Sequence, residues 1–340
     1  MLLAGDVGGT KTILAVYSRE AGPYAPLAGT EVHSADYGSL TAIAREFLSQ
    51  VKVSADRGCF SVAGPVLDGR AKITNLPWVI DESIVAKELK LESVHLLNDL
   101  EAIAFAVPSL RADDVHTINV GVPVPRGTIG VIAPGTGLGE SFLTWAGSRY
   151  MTHATEGGHC SYAPTDETQL GLLAFMLKHF DHVSYEQVCS GIGIPHIYEY
   201  LRSSGHARET LEVAAAIAAA SDPSPTIIKF ALDPVHPCAL CVAALDMFTS
   251  ILGDEAGNLA LKVLATGGIY LAGGMATHAL PELKSQRFMQ AFKNKGRFAE
   301  MMGRMPIHVI VIRAALAGAA AYGLENSAPG SEHGTQEIRS

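Results

Sequence analysis

Short apolar runs separated by glycine turns dominate the first half of the chain, whereas the second half has a helical pattern. Residues 3–17, LAGDVGGTKTILAVY, place two apolar runs on either side of a glycine turn, which predicts a β-hairpin. Residues 127–147, GTIGVIAPGTGLGESFLTWAG, repeat this plan. Two hairpins of one design predict two related domains, each of which presents a glycine turn to the same ligand.

The rest of the pattern predicts alternating strands and helices. We expect helices over 40–50 and 83–89 and strands over 58–62 and 93–98, the last of which leads directly into a helix. Beyond residue 165 the chain is mostly helical, with a long apolar helix over about 240–264. The segment ATGGIYLAGGMA predicts a strand, a turn and a helix, and the strand PIHVIVIR precedes a last helix of small residues.

The composition is that of a compact soluble protein, with 48% hydrophobic and 17% charged residues in a chain of 340. The 25 basic and 34 acidic residues give a net charge of −9, so no basic surface for nucleic acid or an anionic membrane is expected. The sequence shows neither a signal peptide nor an apolar run long enough to span a bilayer. Five cysteines form an odd, sparse set that is typical of the reducing cytoplasm.

The first glycine turn nearly matches a Walker A loop, from Gly5 to Thr12, but Thr10 stands where that motif has its second glycine. A Walker loop also leads into a helix, whereas the residues that follow Lys11 predict a strand. The turn therefore resembles a hairpin loop whose glycines, Gly8 and Gly9, let the backbone approach a phosphate. Asp6 is placed to hold a phosphate-bound Mg²⁺ directly or through water.

The second hairpin carries Gly135, Gly137 and Gly139, and the segment LAGGMA supplies a third glycine turn. Any one of these segments could be a tight turn without a ligand. The three together favour nucleotide binding through backbone N–H groups, which an acidic protein needs in combination with a divalent cation.

The segment HLLNDLEAIA places polar residues where a strand meets a helix. Asn98 followed by Glu101 is typical of a helix-capping box, with Asp99 as a favourable charge in the first turn. Asp99 is also a candidate general base, because ligands bind at the carboxyl ends of strands in α/β sheets. The two interpretations are compatible.

The segment THATEGGHCSYAP carries Glu156, His159 and Cys160. A structural zinc site needs about four ligands, usually with a nearby cysteine pair, so no zinc is expected here. Hydrogen bonding of Glu156 and His159 to a polyhydroxylated ligand is the better interpretation, and Glu186 could join them or be an ordinary helix-surface charge. Cys238 and Cys241 lie in an apolar helical stretch, which favours core packing.

Together these motifs resemble the bacterial glucokinases of the hexokinase–actin ATPase superfamily over about residues 3–325. GDVGGT is similar to the first phosphate motif, APGTGLGE to the second and GGIYLAGGM to the adenosine segment, while LLNDLEAIA, EGGH and YEQVCSG resemble the sugar-site segments. NLAL, FKNKGRF and MPIHVI fit the C-terminal half. Unlike the related ROK kinases and repressors, the chain has no cysteine-rich zinc motif after EGGH. We also expect no N-terminal DNA-binding helix-turn-helix, because the first phosphate motif begins at residue 5.

The resemblance implies an α/β, two-domain ribonuclease-H-like fold of the actin/hexokinase type, with a cleft between a small and a large domain. The small domain would comprise residues 1–110 and a C-terminal helix over about 305–325, the large domain 111–304, and a disordered tail 326–340. The implied ligands are ATP, Mg²⁺ at Asp6 and a hexose. Binding to nucleic acid or to a membrane is not implied. The resemblance also implies a homodimer in the cytoplasm. The implied reaction is phosphorylation of glucose at its 6-hydroxyl, the first step of glycolysis.

The resemblance also assigns roles to single residues. Asp99 is the implied general base, and Asn98, Asp99, Glu156, His159 and Glu186 are the implied sugar ligands. The implied ATP-binding residues are Gly5, Asp6, Val7, Gly8, Gly9, Thr10, Gly135, Thr136, Gly137, Gly273 and Gly274.

Three alternatives stay open at the level of sequence. A kinase for another hexose, such as mannose, fructose or an amino sugar, is the nearest. A nucleotide-driven switch without a sugar substrate is a second, although it would need neither a base nor hydroxyl ligands. A transcriptional regulator is the third, disfavoured by the net charge and by the missing DNA-binding segment.

Overall fold

The structure is a computed structural model that describes residues 1–73 and 76–326. The strands in this part of the chain are β1 (Leu2–Val7), β2 (Lys11–Tyr17), β3 (Ala28–His33), β4 (Arg57–Val62), β5 (Val66–Leu67), β6 (Arg70–Lys72), β7 (Val79–Asp81), β8 (Ser93–Asn98), β9 (Val115–Asn119), β10 (Ile129–Pro134), β11 (Leu138–Trp145), β12 (Tyr150–Thr155), β13 (Gly268–Leu271) and β14 (Ile307–Ile310). The helices are α1 (Leu40–Val51), α2 (Glu82–Leu89), α3 (Asp99–Ala106), α4 (Glu167–Met176), α5 (Gly193–Ser203), α6 (Leu211–Ala219), α7 (Pro223–Ala231), α8 (Ala239–Val263), α9 (Gly273–His278), α10 (Leu280–Leu283), α11 (Gln286–Lys293), α12 (Ala299–Gly303) and α13 (Ala314–Glu325).

The chain forms two compact units. The first comprises residues 1–109 and the C-terminal segment from Arg313, and the second comprises residues 110–312. Strand β14 pairs with β13 and β9 inside the second unit, and the last helix, α13, begins at Ala314. The chain therefore returns to the first unit at Arg313. Apart from Asn326, the tail predicted to be disordered lies outside the described residues.

The first unit is built on a five-stranded sheet in the order β3-β2-β1-β4-β8. Strands β1 and β2 form the predicted antiparallel hairpin, whereas β4 and β8 run parallel to β1. Because inward and outward residues alternate along a strand, each face of the sheet carries its own apolar set. One face packs Leu3, Leu14 and Phe60 with helix α1, and the other packs Ala4 and Cys59 with α3 and α13.

Helices α3 and α13 approach each other closely through Gly318. A Cβ atom at this position would overlap the carbonyl oxygen of Ala102, so the contact between the two helices requires glycine. The run AALAGAAAYGLE thus has a packing reason beyond helix propensity, since small side chains let two backbones come together.

The second unit repeats the plan of the first. Its six-stranded sheet has the order β12-β11-β10-β13-β14-β9, and its first two strands, β10 and β11, form the second predicted hairpin. Strands β13 and β14 run parallel to β10, as β4 and β8 do to β1. The 25-residue helix α8 is buried along most of its length in the core of this unit. None of the described helices combines the length and hydropathy of a membrane span.

Candidate active site

Polar residues of the first unit collect at the carboxyl edge of its sheet. Strands β1, β4 and β8 are parallel and in register, so that Val7, Val62 and Asn98 lie side by side at their ends. Asp6 lies one residue before the end of β1, and Asp99 begins helix α3 directly after β8. This edge is where ligands bind in parallel α/β sheets.

Asn98 has the cap role that the sequence predicts. Its Oδ1 accepts a hydrogen bond from the N–H of Leu100 at 3.0 Å, and its Nδ2 donates to the carbonyl of Gly64 at 2.9 Å. The backbone N–H of Asn98 also interacts with the Glu101 carboxylate and opposes the rise in its pKa that burial causes. These bonds fix the backbone that carries Asp99, whose role in sugar binding and catalysis stays a prediction.

The carboxyl group of Asp6 feels the negative charge of Asp99, and both carboxyl groups have a raised pKa. Burial, followed by the negative charge of Asp99, raises the pKa of Asp6 to about 6, although the Ser61 hydroxyl at 3.3 Å and the Arg313 guanidinium oppose the shift. Burial likewise raises the pKa of Asp99, against hydrogen bonds that include the Leu100 N–H at 2.9 Å. A carboxylate with a raised pKa is a better general base than one with an ordinary pKa.

The first glycine turn is anchored from behind by two buried hydroxyl groups. Ser34 donates from its Oγ to the carbonyl of Gly8 at 2.7 Å and from its N–H to the carbonyl of Thr10 at 3.0 Å. Thr12 Oγ1 lies 2.9 Å from Ser34 Oγ, and both side chains are fully buried. Sequence reasoning missed both residues. The available signal was Thr12, a polar residue at an inward position of β2, in line with Leu14.

The other predicted ATP ligands of the first unit differ in their surroundings. Gly5 lies inside β1, where a Cβ would come within 2.7 Å of Leu14 and Phe60, so core packing already explains this glycine. The Gly8 N–H donates a hydrogen bond to the Lys11 carbonyl at 2.9 Å, which closes the turn, and Gly9 and Thr10 are the two residues between them. Their roles in ATP binding stay predictions.

In the second unit, the glycine turn 135–137 is held by the segment that follows Tyr185. The N–H of Gly191 donates to Gly135 O at 2.7 Å, and that of Ile192 donates to Thr136 O at 3.3 Å. Glu186 Oε2 accepts from the N–H of Leu138 at 3.0 Å. Glu186 is thus more than a surface charge, because it is bonded to the residue that follows the turn.

The third glycine segment lies beside this turn. Strand β13 is the parallel neighbour of β10, and Ala272 N–H donates to the Ile132 carbonyl at 2.9 Å. Gly273, with a φ of +85°, and Gly274 therefore start α9 at the same sheet edge as Gly135. The structure thus brings together the predicted phosphate and adenosine segments of the second unit.

The predicted sugar ligands Glu156 and His159 lie on the turn 156–159, which follows β12. Their side chains are 91% and 61% exposed, with His159 Nε2 4.0 Å from Glu156 Oε2. The carbonyl of Gly158 accepts from the N–H of Glu186 at 2.9 Å. The three predicted sugar ligands of the second unit therefore belong to one hydrogen-bonded assembly.

Four of the five cysteines, Cys238 and Cys241 among them, are buried, as predicted for core packing, and Cys160 is exposed. Among the described residues, no three His, Cys, Asp or Glu side chains are grouped as a metal site would require.

A buried acidic residue, Glu140 on β11, was also missed. Its side chain is 2% exposed, and burial, followed by the negative charge of Glu255, raises its pKa to about 8, with Lys262 opposing the shift. The signal in the sequence was a charged residue in an otherwise apolar strand.

Two sheets of matching topology, each with a glycine turn at its carboxyl edge, agree with the fold of the actin-like sugar kinases. A sequence model of the family described as Glucokinase matches residues 3–326. A glucokinase from Nostoc punctiforme is 36% identical over 325 residues, which cover 92% of this chain and 95% of the relative. The chain therefore belongs to the glucokinase family, and the predicted family and fold are confirmed.

Solved structures agree with this assignment. A glucokinase from an Antarctic psychrotroph superposes with a TM-score of 0.79 at 30% identity, covering 96% of this chain and 99% of the other. A ROK family glucokinase from Streptomyces griseus, solved with glucose and AMPPNP, shares the fold at a TM-score of 0.63 and 18% identity, covering 95% and 99% of the two chains.

Proposed function

We propose that this chain transfers the γ-phosphoryl group of ATP to the 6-hydroxyl of glucose, yielding glucose 6-phosphate and ADP. The observation that carries the proposal is the pair of half-buried carboxyl groups, Asp6 and Asp99, at the carboxyl edge beside the first glycine turn. Membership of the glucokinase family and the glucose and AMPPNP bound by the Streptomyces griseus relative support it.

In the first unit, Asp99 serves as the general base. It accepts the proton of the 6-hydroxyl as that oxygen bonds to the γ-phosphorus, while the bond from phosphorus to the β,γ-bridging oxygen breaks and leaves ADP. Asn98 holds a sugar hydroxyl from the cap position that its hydrogen bonds fix. Phosphoryl transfer depends mostly on positioning and charge stabilisation, so a fixed backbone at these two residues matters more than the strength of the base.

In the second unit, Glu156, His159 and Glu186 bind sugar hydroxyls, while Gly135, Thr136 and Gly137 bind phosphate and Gly273 and Gly274 bind the adenosine. A buried polar group left unpaired costs about 1–3 kcal/mol, which is roughly 5- to 150-fold in discrimination for each hydroxyl. Three such ligands are enough to select among hexose epimers.

Asp6 has the chemistry of a Mg²⁺ ligand. Its carboxylate oxygens are the hard donors that this ion prefers, and Mg²⁺ keeps most of its waters, so a single carboxylate beside the phosphates suffices. Bound with ATP, the ion would neutralise phosphate charge. The buried Ser61 hydroxyl orients the Asp6 carboxylate by donating to its Oδ1.

Replacing Ser34 should weaken ATP binding selectively. Ser34→Ala removes the hydroxyl that ties Gly8 O and leaves this carbonyl without its donor, at a cost of about 1–2 kcal/mol. We expect KM for ATP to rise roughly 5- to 30-fold with a nearly unchanged KM for glucose. Thr249→Val is the matched control, because the buried Thr249 Oγ1 has no partner among the described residues. Equal effects on both KM values would contradict the role of Ser34.

A panel of hexoses in an ADP-coupled assay tests the proposed reaction. Glucose should give the highest kcat/KM, with mannose, fructose and glucosamine well below it. If another hexose gave the highest kcat/KM, the proposed phosphoryl transfer would stand, but glucose would not be the preferred substrate. ATP turnover that does not depend on any sugar would favour the switch-like ATPase instead.

Magnesium dependence, a homodimeric state and a cytoplasmic location complete the proposal. Loss of activity with EDTA and its recovery with MgCl₂ would support the first, and sedimentation equilibrium at two protein concentrations would measure the second. Fractionation of cells, with the activity followed in each fraction, addresses the third.

A further inference from the structure

Glu140 lies directly beneath the turn that carries Glu156 and His159. Its residue position on β11 pairs with Thr155 at the end of β12, and Thr155 Oγ1 donates to Glu140 O at 2.9 Å. The same Oγ1 accepts from the N–H of Gly157 at 3.1 Å. A Cβ on Gly157 would overlap Glu140 Oε2, so the turn packs directly on this carboxyl group.

The Glu140 carboxyl group is buried and, in the part of the chain that the structure describes, lacks the hydrogen-bond donors that an ionised carboxylate needs. It is 2% exposed, and its Oε1 has no hydrogen-bond partner of the usual kind among the described residues. An ionised carboxylate needs donors for both oxygens, whereas a protonated one supplies an O–H of its own. Glu255 on α8, which is fully buried, faces it and can accept that proton's hydrogen bond.

The titratable and polar groups that surround Glu140 and Glu255 come from helix α8 and from the segment around Tyr185 and Cys189. On α8, Glu255 bonds Asn258 Nδ2 at 2.9 Å and Lys262 Nζ at 3.4 Å. Tyr185 Oη accepts a hydrogen bond from Asn258 Nδ2 at 3.0 Å. The negative charges of Glu255 and Glu140 add to the effect of burial in raising the pKa of the Cys189 thiol. Lys262 is half-exposed and also interacts electrostatically with Cys160. Its single positive charge can balance only one of the two negative charges that Glu140 and Glu255 would carry if both were ionised.

We propose that Glu140, held neutral beneath Gly157, is a positioning residue for the turn 156–159, and that its ionisation displaces the turn and weakens glucose binding. The inference rests on the proposed function, because it takes Glu156 and His159 as sugar ligands. If Glu140 ionises, its carboxylate and that of Glu255 repel each other. The turn packs on Glu140 through Gly157 and is exposed on its outer side, so it is the element that can give way.

The pKa of about 8 sets the range in which this happens. Below that value Glu140 is neutral and the turn keeps its position. Above it we expect KM for glucose to rise by up to tenfold per pH unit, while KM for ATP stays nearly constant. Glu140→Gln keeps the shape and supplies an N–H to Glu255, so this variant should bind glucose as the wild type does at pH 7 and show no rise at pH 9.

Asp254→Asn is the matched control. Asp254 is a buried acid next to Glu255 on the same helix, but it pairs with Lys295, so its loss should leave the pH profile of the glucose KM unchanged. A Glu140→Gln profile that rises with pH as the wild type's does would overturn the proposal. So would a glucose KM for Glu140→Gln at pH 7 that already equals the wild-type value at pH 9.

Urea unfolding provides a readout that does not depend on activity. The folded pKa of Glu140 lies above its unfolded value of about 4.5, so its stabilising effect is full below pH 4.5 and is lost as the pH rises through 8. Relative to Glu140→Gln, the wild-type unfolding constant should therefore rise up to tenfold per pH unit in that window. Identical pH dependence in the two proteins would refute the neutral state. Confirmed linkage without any glucose turnover would instead refute the proposed function alone.

Discussion

Asp99→Asn should lower kcat by about 10²- to 10⁴-fold while KM for glucose stays close to its wild-type value. Asparagine keeps the acceptor oxygen that bonds the Leu100 N–H, so the start of α3 is preserved. It cannot take a proton from the 6-hydroxyl, however, and the attacking oxygen then loses its proton only to water. Initial rates over a range of glucose concentrations at saturating ATP measure both constants.

Glu101→Gln is the matched control for this prediction. Glu101 lies in the same helical turn, and burial raises its pKa as it raises that of Asp99, but its carboxylate is engaged by the Asn98 N–H. Glutamine retains that bond, so its kcat should remain near the wild-type rate. Wild-type turnover by a correctly folded Asp99→Asn protein would remove Asp99 from the mechanism.

Gly318→Ala should destabilise the first unit by about 3 kcal/mol or more, at the upper end of what overpacking costs. The added methyl would overlap the carbonyl oxygen of Ala102, which belongs to the α3 backbone and cannot rotate away as a side chain would. Helices α3 and α13 must then move apart, which exposes apolar residues buried on that face of the sheet. The midpoint and slope of urea unfolding measure the loss.

Gly38→Ala serves as the control, because a Cβ at Gly38 would meet no atom within 4 Å and its φ is not positive. Its unfolding curve should match that of the wild type. Equal stability of the two variants would show that α13 accommodates a methyl group at residue 318, against the packing described above.

The local elements could be predicted well because their signals lie close together in sequence. Strand alternation and the glycine turns located both hairpins, and the spacing of Asn98 and Glu101 identified the cap that begins α3. The helix predicted over 83–89 begins one residue earlier, where Asp81 accepts hydrogen bonds from the N–H groups of Ser83 and Ile84.

The residues that support the site were harder to predict, since their partners are distant in the chain. Ser34 contacts Gly8 across 26 positions, and the Glu186 carboxylate bonds Leu138 across 48. Neither contact leaves a mark on local periodicity. Glu140 is a further case, because its neutral state depends on Glu255, which the long helix α8 brings to the same core.

The first unit is assembled from the two ends of the chain, with all of residues 110–312 between them. During synthesis on the ribosome, the sheet that carries Asp6 and Asp99 emerges early. One of its faces, however, packs against α13, which is synthesised about 200 residues later. Until that last helix is released, Ala4, Cys59 and their neighbours are covered by α3 alone. A nascent chain stalled before residue 313 would therefore expose an apolar sheet face to chaperones, even though every residue named in the reaction has already been made.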